Sequence, residues 1–413
     1  MDMIKNKSVI ILVLFSCIIG NSVLGQGARN VDVNTPIQDV TGLVNVFMGS
    51  SGDHGQISPA ASYPFSFLSI GAQTYPHTHT GYEYLAKDYM GFTHNRMEGV
   101  GCQGSGGNLL VKPFLGDNPN TCALVKQSQN AGSGFYQVAF TNGIQASFAV
   151  FQNNGVHQYT FPKGEKGLYL DLGFSFNNAF VDGEHQIKDN ILSGWLTSKT
   201  TCHAGIFKVF YAIKVDQEVQ FKETDKHKIL MILSPNSTSL QVNVRLSSVS
   251  TEQAIAGLDN STYQETKSKS QADWKQLLSA IMVKGDLERK KLFYSLFYRV
   301  LQSPYVISEK DGQYRTHDGA LSRTESPKYN GWAIWDNYKT QLPLFSFVMP
   351  GRYQDMVTSI ADLYPYDKKD FATQTEPSNT VRTEHAVVVL WDAYQKGYTV
   401  NFDSIKPYLL KEA

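Results

Sequence analysis

Over roughly the first 250 positions, hydrophobic and polar residues alternate in short runs separated by Gly, Asn, Asp and Pro. Clear examples are GFYQVAF (134–140), QASFAVF (145–151), HQYTF (157–161), GLYLDLGFSF (167–176), GIFKVFYAIKV (205–215), HKILMILS (227–234) and LQVNVRLSSVS (240–250). A period of two puts successive side chains on opposite faces, so each run predicts a half-buried strand. Their succession, with turn residues between them, predicts an N-terminal antiparallel β-sandwich over residues 27–250.

Beyond residue 250 the period lengthens. In residues 251–284, Ala254, Leu258, Trp274, Leu277, Leu278 and Ile281 recur at helical spacing in a polar background, which predicts a helical linker. The run LERKKLFYSLFYRVLQSP then repeats apolar residues at Leu287, Tyr294, Phe297, Tyr298 and Leu301 until Pro304 ends it. Further helices are predicted at 332–347, 351–363 and 383–397, the last stopped by Gly397. Amphipathic helices joined by short links make residues 285–413 read as a bundle or toroid, and the whole as a multi-domain β + α protein.

The ends and the composition add an address. Lys5 and Lys7, the apolar run 9–19, and Val23 and Gly25 before Gln26 read as a signal peptide over residues 1–25. The run is too short to span a bilayer, so we expect a protein exported to the periplasm or secreted, without stable membrane insertion. Lipoprotein anchoring at Cys17 is the less favoured reading, because the apolar stretch continues through Ile18 and Ile19. With 37 basic and 37 acidic residues the formal charge is zero, which leaves no electrostatic footprint for nucleic acid. Twenty-two Tyr and 23 Phe suit a neutral polar ligand. Of the remaining cysteines, Cys102, Cys122 and Cys202, none has zinc-ligand spacing; a Cys102–Cys122 bridge is allowed but not demanded. The sequence sets no oligomeric state.

Candidate chemistry gathers in five places. YNGWAIWDNYKTQ (329–341) mixes two indoles with Asp336 and Lys339, and aromatic faces beside directed polar groups suit a sugar; its plainer reading is a helix packing Trp332, Ile334, Trp335, Tyr338 and Leu342 on a core. GSSGDHGQISPAASYPF (49–65) carries Asp53 and His54 among glycines. YMGFTHNRMEGVGCQGSGGN (89–108) carries His94, Arg96, Glu98 and Cys102 before a glycine-dense stretch able to approach a ligand closely. DGQYRTHDG (311–319) reads as a hairpin, and 371–397 brings Glu376, Glu384 and His385 to the start of a helix. Glycoside cleavage needs two carboxyl groups flanking the bond; Asp336, Glu376, Glu384 and Glu98 are available, and spacing singles out no pair. No nucleotide P-loop and no GxSxG elbow occurs.

VNVFMGSSGDHGQISPAASYPF, GYEYLAKDYMGFTHNRMEGVGC, FYSLFYRVLQSP, DGQYR and WAIWDNYKTQLPLFSFVMPGRYQDMVTSI occur in an order and spacing that resembles glycoside hydrolase family 92. The resemblance runs from about residue 40 to 400. It implies a sandwich, a helical linker and the start of an (α/α)6 toroid, with the active site between sandwich and toroid. It implies an exported, calcium-dependent, inverting exo-α-mannosidase acting on mannose-containing glycans such as N-glycans and mannan. Trp335 and Asp336 then correspond to the family's sugar-binding pair in the −1 subsite, His54 and the His94-to-Cys102 segment to loops facing the cleft, and His385 to a histidine at the start of a toroid helix.

This sequence departs from the family at Gln56 and at THNRMEGVGC, where relatives carry a histidine and a serine-rich histidine loop. The family's acid, base and NEP motifs do not occur; Glu376-Pro377 is preceded by Thr375 and comes too early. The catalytic groups are therefore expected beyond Ala413, and the Ca2+ ligands largely outside this chain, which reads as an N-terminal portion ending inside the toroid. A non-catalytic carbohydrate-binding sandwich protein is the alternative, and a phosphate-dependent inverting phosphorylase a third reading.

Overall fold

Among the described residues fifteen strands form before the first α-helix, and they account for the period-two pattern. They are β1 (Ala61–Ser62), β2 (Ser69–Tyr75), β3 (Asp88–Arg96), β4 (Gly106–Leu115), β5 (Leu124–Gly132), β6 (Phe135–Phe140), β7 (Gln145–Phe151) and β8 (Asn154–Thr160), followed by β9 (Lys166–Asp171), β10 (Phe180–Lys188), β11 (Ile191–Lys199), β12 (Ile206–Val215), β13 (Gln220–Asp225), β14 (Lys228–Ile232) and β15 (Ser239–Ser247). The structure is a computed structural model that describes residues 38–412 apart from 53–56, 77–79, 97–105, 201–204 and 367–383.

Every pair among these strands is antiparallel, in the order β10-β11-β12-β15-β8-β7-β6-β5-β3-β4-β9-β14-β13, with β2 also paired to β3 and β1 to β2. The sheet folds over at β5 and β3, which are joined only where Asp88 and Tyr89 meet Val125 and Leu124. As a result β3 faces β7 and β8 rather than lying in line with them. Phe92 packs on Phe148 at 4.3 Å between ring centres, and His94 stacks on His157 at 4.9 Å. Two sheet faces closing on one core make the predicted sandwich, and Phe92, Phe148, Val156, Leu168 and Val244 are almost fully buried within it.

Two glycines mark where helices come close. The β5–β6 turn holds Gly134 at φ 86°, and a Cβ there would lie 2.4 Å from Ser270 Oγ, so α2 (Tyr263–Leu278) rests directly on the turn. Gly257 closes α1 (Thr251–Ala256), and a Cβ there would meet the Arg245 guanidinium at 2.3 Å. The segment predicted as a linker thus lies packed on the sandwich. Trp274 donates from Nε1 to the Ser62 carbonyl at 3.0 Å, and its ring lies 4.3 Å from that of Tyr298 in α3 (Leu287–Val300). Tyr298 Oη in turn meets Ser62 Oγ at 2.8 Å.

After α3 the chain crosses back as β16 (Tyr305–Val306), makes the hairpin of β17 (Gln313–Arg315) and β18 (Leu321–Arg323), and returns as β19 (Tyr329–Asn330) beside β16. Then follow α4 (Ile334–Asn337), α5 (Gln341–Val348), α6 (Pro350–Ala361), α7 (His385–Gln395) and α8 (Phe402–Glu412). The single helix predicted over 332–347 is two. Thr340 leaves helical geometry at φ −126°, and Pro343 falls in the first turn of α5, where its missing N–H is tolerated. A second core forms here around Trp274, Tyr298, Trp332, Phe345, Tyr353 and Leu390. The outer faces remain apolar: Phe347, Trp391, Tyr394 and Leu410 are each at least half exposed. Among the described residues no helix is long and apolar enough to cross a membrane.

At the junction a buried ion pair ties the last sandwich strand to the crossing segment. Arg245 Nη2 bonds Glu309 Oε2, and Ser247 Oγ donates to Glu309 Oε1 at 2.6 Å. Both charges lie in the interior, so each relies on the other.

Candidate active site

The short helix α4 presents its residues in two directions. Trp332 and Ile334 are buried in the helical core; Trp335 and Tyr338 are half-buried, and Asp336 is exposed. The stretch is fixed from both ends. The Tyr329 N–H donates to Ser359 Oγ at 3.0 Å, Arg352 donates to Tyr329 Oη at 2.6 Å, and Gln341 Nε2 donates to the carbonyls of Val300 and Ser303 at 2.6 and 2.7 Å. Asp336 therefore stands on a rigid support with its carboxylate toward solvent. Helix α7 packs beside α4 and brings His385 against Tyr338, with ring centres 4.2 Å apart. Glu384 lies 4.0 Å from His385 Nδ1, and Lys339 lies over the Tyr338 ring at 5.7 Å. Trp335, Asp336 and His385, some 50 residues apart in the chain, thus share one neighbourhood.

Three polar atoms near this neighbourhood were invisible to sequence reasoning. Asn330 Oδ1, Trp332 Nε1 and Asn337 Oδ1 are buried and have no hydrogen-bond partner among the described residues. Most buried polar atoms are paired, so three unpaired ones within eight positions are unusual. No sequence signal separates them from ordinary core groups, because pairing is a property of the assembled neighbours.

The remaining candidates fall differently. His54, Glu98, Cys102 and Glu376 lie outside the described residues, and of Arg96 only the strand backbone is described, paired with Gly106. His94 is a correction: it belongs not to a loop facing a cleft but to β3, fully buried between the two sheet faces. The glycines of the stretch 89–108 obscure its strand pattern; the flanks are β3 and β4, with Gly91 at φ 151° beside a bulge in the β2–β3 pairing.

His94 makes a closed chain of hydrogen bonds. Its Nδ1 faces the Leu109 carbonyl at 2.9 Å and so must carry the proton. Its bare Nε2 then accepts from His157 Nε2–H at 2.9 Å, and His157 Nδ1 accepts from Tyr159 Oη–H at 2.9 Å. Burial pushes His94 down to about 4 and pushes His157 well below the usual histidine range, with His94 as a lesser cause. Both rings are neutral and matched, with no capacity left for a ligand. The anchored carbonyl belongs to Leu109, which holds φ 55°, as does Asn95 on the opposite strand. His94 thus clamps strained backbone at the base of the β3–β4 connection.

Sequence reasoning also missed Glu83. Its carboxylate accepts from Ser51 Oγ at 2.5 Å, Gly52 N–H at 2.9 Å and Leu85 N–H at 3.0 Å, and fixes the backbone just before residue 53. Cys122 is a free thiol whose sulfur accepts from the Leu115 N–H at 3.4 Å. Among the described residues no three His, Cys, Asp or Glu side chains come together to hold a metal ion.

Comparison with known proteins decides the family. Residues 43–270 match the glycosyl hydrolase family 92 N-terminal domain, and residues 250–413 match the glycosyl hydrolase family 92 catalytic domain. The chain belongs to glycosyl hydrolase family 92. The solved family 92 glycosyl hydrolase ccman5 superposes with a TM-score of 0.80 at 26% identity, over 90% of this chain and 56% of its own. The family 92 α-mannosidase BT3965 from Bacteroides thetaiotaomicron gives 0.78 at 20%, over 90% and 56%, and the inverting mannosidase BT2199 from the same organism 0.73 at 19%, over 90% and 55%. This family 92 chain therefore spans little more than half the length of those relatives. No curated protein matches it.

Proposed function

We propose that this chain supplies the sugar-binding side of an exported, inverting exo-α-mannosidase that trims α-1,2-type linked mannose from N-glycans or mannan. The observation that carries the reading is the exposed Asp336 carboxylate and half-buried Trp335 indole on a short helix whose following residue Tyr338 packs on His385, in a chain that matches both family domains. Support comes from structural neighbours described as mannosidases, one of them solved in complex with mannoimidazole.

The chemistry follows from these groups. Asp336 accepts hydrogen bonds from the hydroxyls of a terminal mannose, and the Trp335 ring covers its apolar C–H face. Bond cleavage with inversion needs a carboxylic acid at the leaving oxygen and a carboxylate activating water on the far side. The family motifs for those two groups do not occur in these 413 residues, so this polypeptide is expected to bind mannosides with little turnover. A family calcium ion would assist by holding hydroxyls; the described residues offer no site that fits one, so no step here runs through it.

Calorimetric titration of the chain with mannoimidazole tests the reading. Asp336→Asn should weaken binding at least tenfold, a loss of about 1.4 kcal/mol or more, while leaving the melting temperature unchanged. Equal binding by the variant rejects the role of Asp336, and substantial release of mannose from an α-1,2-mannoside by this polypeptide rejects the expected lack of turnover. Export is checked by the N-terminal sequence of the mature protein, expected at Gln26.

A further inference from the structure

At the junction between the sandwich turns and the crossing segment lies a cavity of about 540 Å3, and neither Trp335, Asp336 nor His385 lines it. The volume falls within the range of small-molecule sites. Its formal charges balance: Arg245, Lys310 and Arg352 are set against Glu309, Asp311 and Glu325. Such a wall selects neither an anion nor a cation. It also carries hydrogen-bonding groups of both senses, in the amides of Gln152 and Asn153 and the hydroxyls of Thr324 and Ser326.

Three features make the wall rigid. The Tyr63 ring packs edge-on against Phe151 at 5.1 Å, and its hydroxyl is tied to Asp273. The Arg352 guanidinium lies over the Phe65 ring at 4.6 Å while donating to Tyr329 Oη. Gln152 sits in the two-residue β7–β8 turn at φ 54°, a conformation that favours glycine. The turn is nonetheless held in place, because Ser66 Oγ bonds the Gln152 carbonyl at 2.6 Å and Asn153 Oδ1 at 3.0 Å. A long amide kept at strained backbone beside a cavity points to a use for the amide.

We propose that this cavity is a second carbohydrate site, separate from the one at Asp336, which takes a short neutral oligosaccharide. Tyr63 supplies the face for sugar C–H groups, and Gln152, Asn153 and Arg352 bond the hydroxyls, each of which both donates and accepts. Two sugar sites on one chain would hold a branched glycan by two arms and raise the local concentration of one arm once the other is bound.

The test is calorimetric titration of the full chain with α-1,2-mannobiose, using Gln152→Gly, Ser326→Trp and Asp336→Ala. Gln152→Gly removes the amide and relieves the backbone, so it should melt at or above the wild-type temperature; Ser326→Trp fills the cavity. The wild type is expected to bind two equivalents. Each cavity variant should weaken one of them at least tenfold, and Asp336→Ala should weaken the other. A single equivalent, lost in Asp336→Ala and kept in both cavity variants, overturns the second site and leaves the mannoside reading standing. A single equivalent lost in the cavity variants and kept in Asp336→Ala upholds the cavity and overturns the role given to Asp336. No binding by the wild type overturns both.

Discussion

The imidazole chain inside the sandwich and the 329–341 stretch at α4 are both polar groups set among aromatics, yet they are built to opposite rules. In the first, His94, His157 and Tyr159 are fully buried, and each ring nitrogen has its partner. In the second, Asn330, Trp332 and Asn337 have buried polar atoms without a partner among the described residues, while Asp336 stands exposed. A completed network specifies a fold, because every missing member leaves a desolvated group behind. Groups with spare bonding capacity on a rigid support are suited to a ligand. The comparison separates a closed structural network at His94 from an exposed carboxylate at Asp336, which is where the proposed binding role rests, although sequence alone placed them together.

The largest expected effect lies at the buried ion pair, where each charge has the other as its partner. Glu309→Ala leaves the Arg245 charge in the interior without its carboxylate, and breaking such a pair costs about 3–5 kcal/mol. Urea denaturation should show that loss. A change below about 1 kcal/mol would mean that water reaches Arg245 and that the junction is looser than its packing indicates.

Next comes the imidazole chain itself. His157→Leu removes the donor to His94 and the acceptor for Tyr159 together, at about 1–3 kcal/mol for each stranded group. The same chain fixes a pH dependence. In the unfolded protein both histidines take up protons near pH 6.5, whereas the folded protein holds His94 neutral down to about 4 and His157 well below the usual histidine range. The histidine contribution is therefore fully present above pH 6.5 and declines as pH falls toward 4, with a slope of about 1.4 kcal/mol per pH unit for each histidine. Denaturation midpoints compared at pH 7.5 and 5.5 should fall for the wild type and fall less for His157→Leu. Parallel slopes in the two proteins would show that the buried pair is protonated in the fold.

Much of the fold was legible because burial on one face imposes a period. QASFAVF and LQVNVRLSSVS became β7 and β15 almost residue for residue, and LERKKLFYSLFYRV became α3. Strands β2, β3 and β4 were harder to see: β2 is buried on both sides, so nothing alternates, and glycines interrupt the other two. The site divided in the same way. That Trp335 and Asp336 fall on one short helix is local and could be read, as could His385 at a helix start. The partner of His94 is His157, 63 positions away, and no local pattern announces a contact made only when two sheet faces close. Glu83 was missed for a related reason, since a carboxylate that clamps backbone N–H groups looks in sequence like any surface acid.

The smallest expected effect is the sharpest check on the contrast. At Asn337 the amide oxygen is buried and has no partner among the described residues, so replacing the side chain with an apolar one of similar size removes a desolvated group and breaks no matched acceptor bond. Asn337→Leu should therefore leave the urea midpoint where it was, within about 0.5 kcal/mol, or raise it. Mannoimidazole affinity, measured on the same protein, then reports whether the α4 support matters for binding independently of stability. A loss of stability above about 1 kcal/mol would mean that the Asn337 oxygen is already matched. Asn337 would then follow the same rule as the imidazole chain, and only Asn330, Trp332 and the exposed Asp336 would be left to distinguish the stretch.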